Sequence, residues 1–286
     1  MRNRANQLQR LCQSIASTVK THSLDWSIFF LLTLGLTGGW TLEAKAETAE
    51  TAPPQLQEAI AQINLAANSR DLEGVMEFYG SNFRNSDGLN RTSLKKALAK
   101  LWENYSQLNY QTELKSWHRE GNAIVTETVT YITGTRDGEE RDTKIESTMR
   151  SRQRFENQKI VDQKILSEQT QLTSGDNPPQ VQVNIPEQVR IGQRYNFDVI
   201  VQEPLGNDLL MGAALEEATR KERYTNPAEW ELDLLSAGGI YKIGRAPLRE
   251  DDRWISAVLI RGDGMTMVTR RLQVIDRSSA SNGSSR

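Results

Sequence analysis

The spacing of apolar residues in the first half of the chain changes from a helical period to a strand period. Between Leu56 and Ala67 the apolar positions recur at intervals of four, three and four, which places them on one face of a helix. Two further helices are expected, the second capped by Asp71 and the third by Thr92 or Ser93. Alternating and β-branched residues then predict four strands, at 110–114, 123–133, 144–155 and 159–167. Helices followed by an antiparallel sheet indicate an α+β arrangement.

The second half of the chain contains mainly short strand patterns. The glycine-containing turns at 237–239 and 262–264 predict two hairpins. The segment 209–219 fits a strand or a helix, and the turn before it favours a strand. Tyr195 and Trp254 are expected to anchor the core. Strands separated by turns indicate a β-sandwich, with strands expected at 180–185, 194–202, 209–215, 230–235, 240–245, 254–261 and 265–275.

The N-terminus has the order of an export signal. Basic residues precede an apolar run at 26–36, and Ala44 and Ala46 supply the small residues that a signal peptidase reads. The run is about 11 residues long, whereas a membrane-spanning helix needs about 20. The pattern therefore predicts cleavage after Ala46 and an exported protein, in the periplasm or outside the cell, without a stable membrane span. A retained anchor reaching from 26 to 42 is the alternative.

Composition also marks the limits of the expected units. Small and polar residues with paired prolines are typical of flexible connections, and a polar C-terminus without large apolar residues is typical of disorder. The predicted units are a signal peptide (1–46), a flexible lead-in (47–54), a first domain (55–172), a linker (173–179), a second domain (180–276) and a disordered tail (277–286).

Charge and residue counts exclude several classes of function. The chain has 35 Lys and Arg against 37 Asp and Glu, so nothing attracts it generally to nucleic acid. Its single cysteine, Cys12, lies in the predicted signal, and His118 is the one histidine after it. A zinc site of histidine and cysteine is therefore excluded. No nucleotide-binding or hydrolase motif is present in the sequence, so no cofactor is predicted.

The segments 63–79, 94–105 and 152–165 resemble the nuclear transport factor 2-like superfamily, which includes SnoaL-like and ketosteroid-isomerase-like proteins. The resemblance covers about residues 55–170. It implies a curved sheet folded around helices into a cone with an apolar pocket, a fold that serves enzymes, binders and assembly modules alike. The strand spacing of the second half is similar to immunoglobulin-like bacterial modules without the cysteine pair. The expected fold is thus an α+β cone followed by an all-β immunoglobulin-like sandwich.

Five aromatic residues are placed to line or close the expected cone. An open apolar cone would indicate a ligand-binding protein, and a cone filled by these rings would indicate an adaptor that works through its outer surface. The sequence leaves both alternatives open for Tyr79, Trp102, Tyr110, Trp117 and Tyr131.

Two residues are weak candidates for catalysis. Glu127 shares its strand face with Val125 and Tyr131, and inside the cone it would be a general base. A solvent-facing Glu127 is the alternative that we expect. His118 lies beside a polar turn with nothing in the sequence to orient it. The aspartate and tyrosine set of the ketosteroid-isomerase-like proteins has no counterpart that can be assigned residue by residue.

These patterns together favour a binding protein over an enzyme. We expect an exported, non-catalytic binding or adaptor protein of the cell envelope, whose partner is a small apolar ligand or another envelope protein. A homodimer through the sheet of the first domain is a further possibility. The alternative function is a small-molecule isomerase or dehydratase with a carboxylate inside the cone.

Overall fold

The computed structural model describes residues 46–138, 141–206, 208–262 and 264–276. The predicted signal peptide, apart from Ala46, and the predicted tail at 277–286 lie outside these ranges. Among the described residues, no helix combines the length and the apolar character that a membrane crossing requires.

Three α-helices form in the first half, where the apolar spacing predicts them. They are α1 (Pro54–Asn68), α2 (Leu72–Glu77) and α3 (Arg91–Asn104). The carboxylate of Asp71 accepts a hydrogen bond from the backbone N–H of Gly74 at 2.9 Å and caps α2, as expected. The cap of α3 is Asn90 rather than Thr92 or Ser93. Asn90 and Ser93 exchange side-chain and backbone hydrogen bonds in a capping box, and this places the helix start at Arg91.

Four long strands follow these helices and form an antiparallel meander, which confirms the predicted change of period. The segment 47–54 contributes a short edge strand and a 3-10 turn, Ala49–Thr51. A strand after α2, which the sequence did not indicate, pairs in parallel with the last strand of the meander. The strands of the first half are β1 (Glu47–Thr48), β2 (Tyr79–Asn85), β3 (Gln107–Glu120), β4 (Ala123–Arg136), β5 (Thr143–Glu156) and β6 (Lys159–Ser174).

Strands also dominate the second half. They are β7 (Val181–Asn184), β8 (Gln188–Arg190), β9 (Arg194–Val201), β10 (Leu210–Ala218), β11 (Asp233–Leu234), β12 (Gly239–Arg245), β13 (Asp251–Arg261) and β14 (Gly264–Ile275). The hairpin predicted at 262–264 is confirmed, because β13 and β14 pair across it. The hairpin predicted at 237–239 is wrong, because β12 pairs with β9 and β11 pairs with β10. The ambiguous segment at 209–219 is a strand, β10.

The predicted cone followed by a separate immunoglobulin-like sandwich is wrong. One eleven-stranded sheet runs through both halves in the order β1-β3-β4-β5-β6-β14-β13-β10-β11, with β2 and β8 paired alongside it. The physical reason lies in β6. β2 covers only the first part of one edge of β6, and the edge left open at residues 169–174 pairs with β14. Thr173 and Ser174 of the predicted linker therefore belong to β6. That each half folds alone stays a prediction.

The second half packs apolar residues on both faces of this sheet. On one face, the three-stranded sheet β12-β9-β7 covers β14, β13 and β10 and buries Tyr195, as expected, with Phe197 and Leu259. The other face carries Val258, Ile260 and Met265, and Trp230 and Leu232 pack against these side chains. Trp230 and Leu232 belong to the segment between β10 and β11, residues 219–232, which we call the strap.

Candidate functional site

A cavity of about 380 Å³ lies between α1, α3 and the sheet of the first half. Helix α3 packs on α2 and β2, and its side chains meet Tyr110 and Ile132 of the sheet, but the space between α3 and the strands is only partly filled. Leu94, Leu98 and Leu101 on α3 stay half-buried and face this space. From the opposite side, Thr130 and Ile132 of β4 point inward at alternate positions. The cavity is thus a gap in the core with a mainly apolar wall.

Several polar groups in this wall are satisfied by one another. The hydroxyls of Thr112 and Thr130 lie 3.0 Å apart, and those of Ser147 and Thr170 lie 2.7 Å apart. The side chain of Asn64 accepts from the backbone N–H of Thr112 at 3.2 Å and donates to its carbonyl at 3.4 Å. These groups hold α1 and the strands together and leave few donors or acceptors free for a ligand.

Several other polar side chains line the cavity without a hydrogen-bond partner among the described residues, those of Tyr79, Asn104, Gln153 and Gln163. Gln163 on β6 is 6% exposed, and its side-chain amide has no partner there. The hydroxyl of Tyr79 is also unpaired, and burial raises the pKa of Tyr79 to about 12. Buried polar groups are usually paired, so Gln163 and Tyr79 are candidates to bind a ligand.

The one acidic side chain in the cavity wall is Glu168 on β6. Its Oε2 accepts a hydrogen bond from Nε1 of Trp254 at 2.9 Å and another from Nη2 of Arg271 at 3.0 Å. Its Oε1 accepts none from the described residues. The side chain is 19% exposed. Two donors from the second half therefore fix the position of this carboxylate.

Arg271 is the centre of a buried ionic group. Its two terminal nitrogens bind both carboxylate oxygens of Asp87, at 2.9 and 2.7 Å, and one of them also binds Asp252 at 3.1 Å. The side chains of Arg271 and Asp87 have no exposed surface. We call Arg271, Asp87, Glu168 and Asp252 the Arg271 cluster. Tyr224 of the strap completes it by donating to Asp87 at 2.5 Å.

The ionisation of this cluster follows from burial and from Arg271. Burial opposes the charge on Asp87, but the hydrogen bonds and charge of Arg271 outweigh it and lower the pKa of Asp87. Burial raises the pKa of Asp252 above its usual range, although Arg271 partly offsets the shift. Burial and the nearby Glu168 and Asp87 carboxylates also raise the pKa of Tyr224, whose hydroxyl stays a donor.

Both halves of the chain contribute to this end of the cavity. Asp87 comes from the turn after β2, where its backbone N–H donates to the side chain of Asn85 at 2.8 Å. Tyr224, whose ring contacts Trp254 edge to face, comes from the strap and closes the cavity wall. The site is therefore built across the sheet that the two halves share.

The aromatic residues that the sequence singled out take different positions. Tyr79 and Tyr110 line the cavity. Trp102 is buried behind Tyr110 and donates from Nε1 to its hydroxyl at 2.9 Å. Trp117 is buried against α1 and donates to the hydroxyl of Thr51 at 3.2 Å. Tyr131 is 37% exposed on the opposite face of β4.

The two weak catalytic candidates lie away from the cavity. Glu127 is on the outer face of β4, where its carboxylate binds Arg152 at 2.6 Å. His118 lies on β3 opposite Val125 and is half-buried. Neither side chain contributes to the cavity wall.

The Arg271 cluster was not predicted from the sequence. In the sequence, Asp87 has only the setting of a polar turn, Asn85-Ser-Asp-Gly88, and Glu168 and Tyr224 carry no signal. Arg271 could have been predicted, because it lies an even number of residues from Met265 and Met267 and so faces the same side of β14 as these apolar side chains. A charged residue on the apolar face of a strand indicates a buried partner of opposite charge.

Comparisons with known proteins give the following results. Residues 176–275 match a family described as a domain of unknown function, DUF8623. No curated protein matches the chain. The similar solved structures include proteins with SnoaL-like or nuclear transport factor 2-like, ketosteroid-isomerase-like and scytalone-dehydratase-like folds, and the similarity covers about 40% of the chain.

Three of these structures show the extent of the likeness. Bd1075 of Bdellovibrio bacteriovorus is 15% identical with a TM-score of 0.27, and the match covers 38% of each chain. This chain therefore spans little more than a third of Bd1075. An LEH-like epoxide hydrolase of M. tuberculosis is 11% identical with a TM-score of 0.29, over 39% of this chain and 80% of that one. A protein with a ketosteroid isomerase-like fold from Catenulispora acidiphila is 12% identical with a TM-score of 0.28, over 40% and 85%.

Proposed function

We propose that this protein binds a small, largely apolar molecule in the cavity between α1, α3 and the sheet, and that it works by binding rather than by catalysis. The observation that carries the proposal is the cavity itself. Protein cores are packed to the density of organic crystals, and gaps much larger than a water molecule are few. A volume of about 380 Å³ lies within the range of small-molecule sites.

The lining supports a ligand rather than ordered water. Its apolar side chains offer water no hydrogen bonds, and the hydroxyl pairs Thr112–Thr130 and Ser147–Thr170 are already satisfied. The unpaired groups of Tyr79 and Gln163 add the few polar contacts that orient a bound molecule.

Binding of a neutral fluorescent probe, N-phenyl-1-naphthylamine, tests this function. We expect saturable binding of one probe per chain to the intact protein. Ala97→Trp, which places an indole in the cavity wall, should abolish it. Lys96→Trp is the matched control, because Lys96 is the exposed neighbour on α3 and lies outside the wall. Absence of saturable binding, or equal binding by both variants, would refute the proposal.

We further propose that the protein acts after export, in the periplasm or outside the cell. The order of basic residues, apolar run and Ala44-Lys-Ala46 supports this. Mass spectrometry of the recovered protein should find an N-terminus at Glu47. Recovery of the intact N-terminus in membranes would contradict it. We propose that the partner is either an envelope protein that receives the ligand or a second copy of the chain, joined through the outer face of β3–β6.

An isomerase or dehydratase is the second candidate, and one observation favours it. A carboxylate does face the cavity, although it belongs to Glu168 rather than to Glu127. Such a base would take a proton from a carbon beside a carbonyl and return it to another carbon. Conversion of a β,γ-unsaturated cyclic ketone to its conjugated isomer, followed by ultraviolet absorbance, tests it. Turnover that Glu168→Gln abolishes would replace the binding function with this one.

A further inference from the structure

The end of the cavity at Glu168 carries more negative than positive charge. Three carboxylates, of Asp87, Glu168 and Asp252, surround the single guanidinium of Arg271 at distances of 2.7 to 3.1 Å. Protonation of Asp252 still leaves two carboxylates against one cation. Tyr224 and Trp254 supply neutral donors and no charge. The charge of Lys164 also acts on Asp252, but Lys164 is exposed at the surface. The cluster therefore has at least one negative charge without a buried counter-charge.

The basic side chain in the cavity wall does not neutralise this charge. Lys100 lies on α3, its side chain is 51% exposed, and its ammonium is 3.7 Å from the carboxylate of Glu103 at the surface. A charge in that position is well solvated and screened. At Glu168, by contrast, low polarity strengthens the attraction for a cation.

One free acceptor of the cluster belongs to a residue of the cavity wall. Of the three carboxylates, only that of Glu168 belongs to the cavity wall, and its Oε1 has no donor among the described residues. An ionised carboxylate only accepts hydrogen bonds, so a group placed there must donate. A donor that also carries positive charge forms a hydrogen bond about twice as strong as a neutral one.

We infer that the ligand is an apolar amine, whose body fills the space between α3 and the sheet and whose ammonium group binds Glu168. The inference rests on the proposed binding function and adds the class of ligand. Gln163 lies five residues away along β6, roughly 16 Å at the rise of a strand. Gln163 and Tyr79 are therefore available to a second polar group at the far end of a longer ligand.

Three compounds of one shape test the inference on the intact protein. 1-Adamantylamine, 1-adamantanol and 1-adamantanecarboxylate share one apolar body and are cationic, neutral and anionic at pH 7. By calorimetry we expect the amine to bind at least ten times more tightly than the alcohol. The carboxylate should bind at least ten times more weakly than the alcohol.

A substitution at Glu168 assigns the preference to that residue. In Glu168→Gln the amine and the alcohol should bind within a factor of three, while the affinity for the alcohol stays near that of the parent. Glu146→Gln is the matched control, because Glu146 lies on the neighbouring strand β5 and is exposed. It should keep the tenfold preference. The comparison of compounds on the parent protein decides the question even if Glu168→Gln does not fold.

The outcomes separate the ligand class from the proposed function. Equal affinity for amine and alcohol, or tightest binding of the carboxylate, overturns the amine while binding in the cavity stands. A preference for the amine that survives Glu168→Gln also overturns the inference. No binding of any compound, together with no binding of the neutral fluorescent probe, refutes both the ligand class and the proposed function.

Discussion

Replacing Arg271 with Met should be among the most destabilising single changes in this protein. Met keeps the apolar stem of Arg271 but removes four hydrogen bonds, two to Asp87 and one each to Glu168 and Asp252. Asp87 is left with no exposed side-chain surface and no cation. Breaking a buried pair in this way lowers the free energy of unfolding by about 3–5 kcal/mol.

An exposed ion pair provides the control for this substitution. Arg152 binds Glu127 at 2.6 Å, but the two side chains are 53% and 27% exposed, so water screens the pair. Arg152→Met should lower the free energy of unfolding by no more than about 1 kcal/mol. Urea denaturation followed by circular dichroism and by tryptophan fluorescence gives both values, with linear extrapolation to water. The double variant Asp87→Asn/Arg271→Met should be more stable than Arg271→Met, because the fully buried carboxylate of Asp87 is no longer left without a cation.

A small effect of Arg271→Met would contradict the role of burial in the Arg271 cluster. A loss below about 1 kcal/mol for Arg271→Met, equal to that of Arg152→Met, would show that water reaches Asp87 in the folded protein. A double variant that is less stable than Arg271→Met would show that the hydrogen bonds of Asp87 with Tyr224 and Ser86 outweigh the cost of its unpaired charge.

Three further predictions concern single side chains. Because the pKa of Asp87 is lowered in the folded protein, its stabilising contribution is complete above the unfolded pKa of about 3.9 and is lost as the pH falls through the folded pKa. Acid unfolding should therefore occur at a lower pH than in a chain in which Asp87 is unpaired. Asp87→Asn should flatten the dependence of stability on pH in that range. Trp102→Ala should lower the free energy of unfolding by about 3–5 kcal/mol, because the ring is 5% exposed and its N–H donates to Tyr110, and a loss under 1 kcal/mol would contradict its place in the core. Glu127→Gln and His118→Ala should each change it by no more than about 0.5 kcal/mol in thermal melts, and a large gain for Glu127→Gln would reveal a strained carboxylate.

The helices were predictable because their signals are local. Apolar spacing on α1 and the carboxylate of Asp71 before α2 are written within a few residues of the elements that they define. β2 was missed because Tyr79–Asn85 is mainly polar, and it becomes a strand only by pairing with β6. The contact of β14 with β6 joins residues about a hundred positions apart, so no local pattern reveals it. The separate sandwich was therefore the wrong prediction.

The site was only partly predictable, for a related reason. Tyr79 and Tyr110 reach the cavity, whereas Tyr131 lies on the other face of its strand. The carboxylate predicted for the cavity was that of Glu127 on β4, whereas the one in the wall is that of Glu168 on β6. Between Ile165 and Glu168 the β6 register shifts by one residue against β5, so two residues three positions apart face the same side. Strict alternation would place them on opposite sides, and a bulge of this kind leaves no clear mark in the sequence.

Because β6 pairs with β5 of the first half and β14 of the second, a chain that is cut between the halves should stay in one piece. The backbone at residues 175–179 lies between β6 and β7, and a protease that cleaves there breaks no ladder of the sheet. The two pieces would still be joined by the hydrogen bonds of β6 with β14 and by Arg271 with Asp87. The nicked protein should therefore travel as one particle in a sizing column and fall apart only in denaturant. Two separately made pieces, each with a bare sheet edge, would assemble with each other or else with copies of themselves.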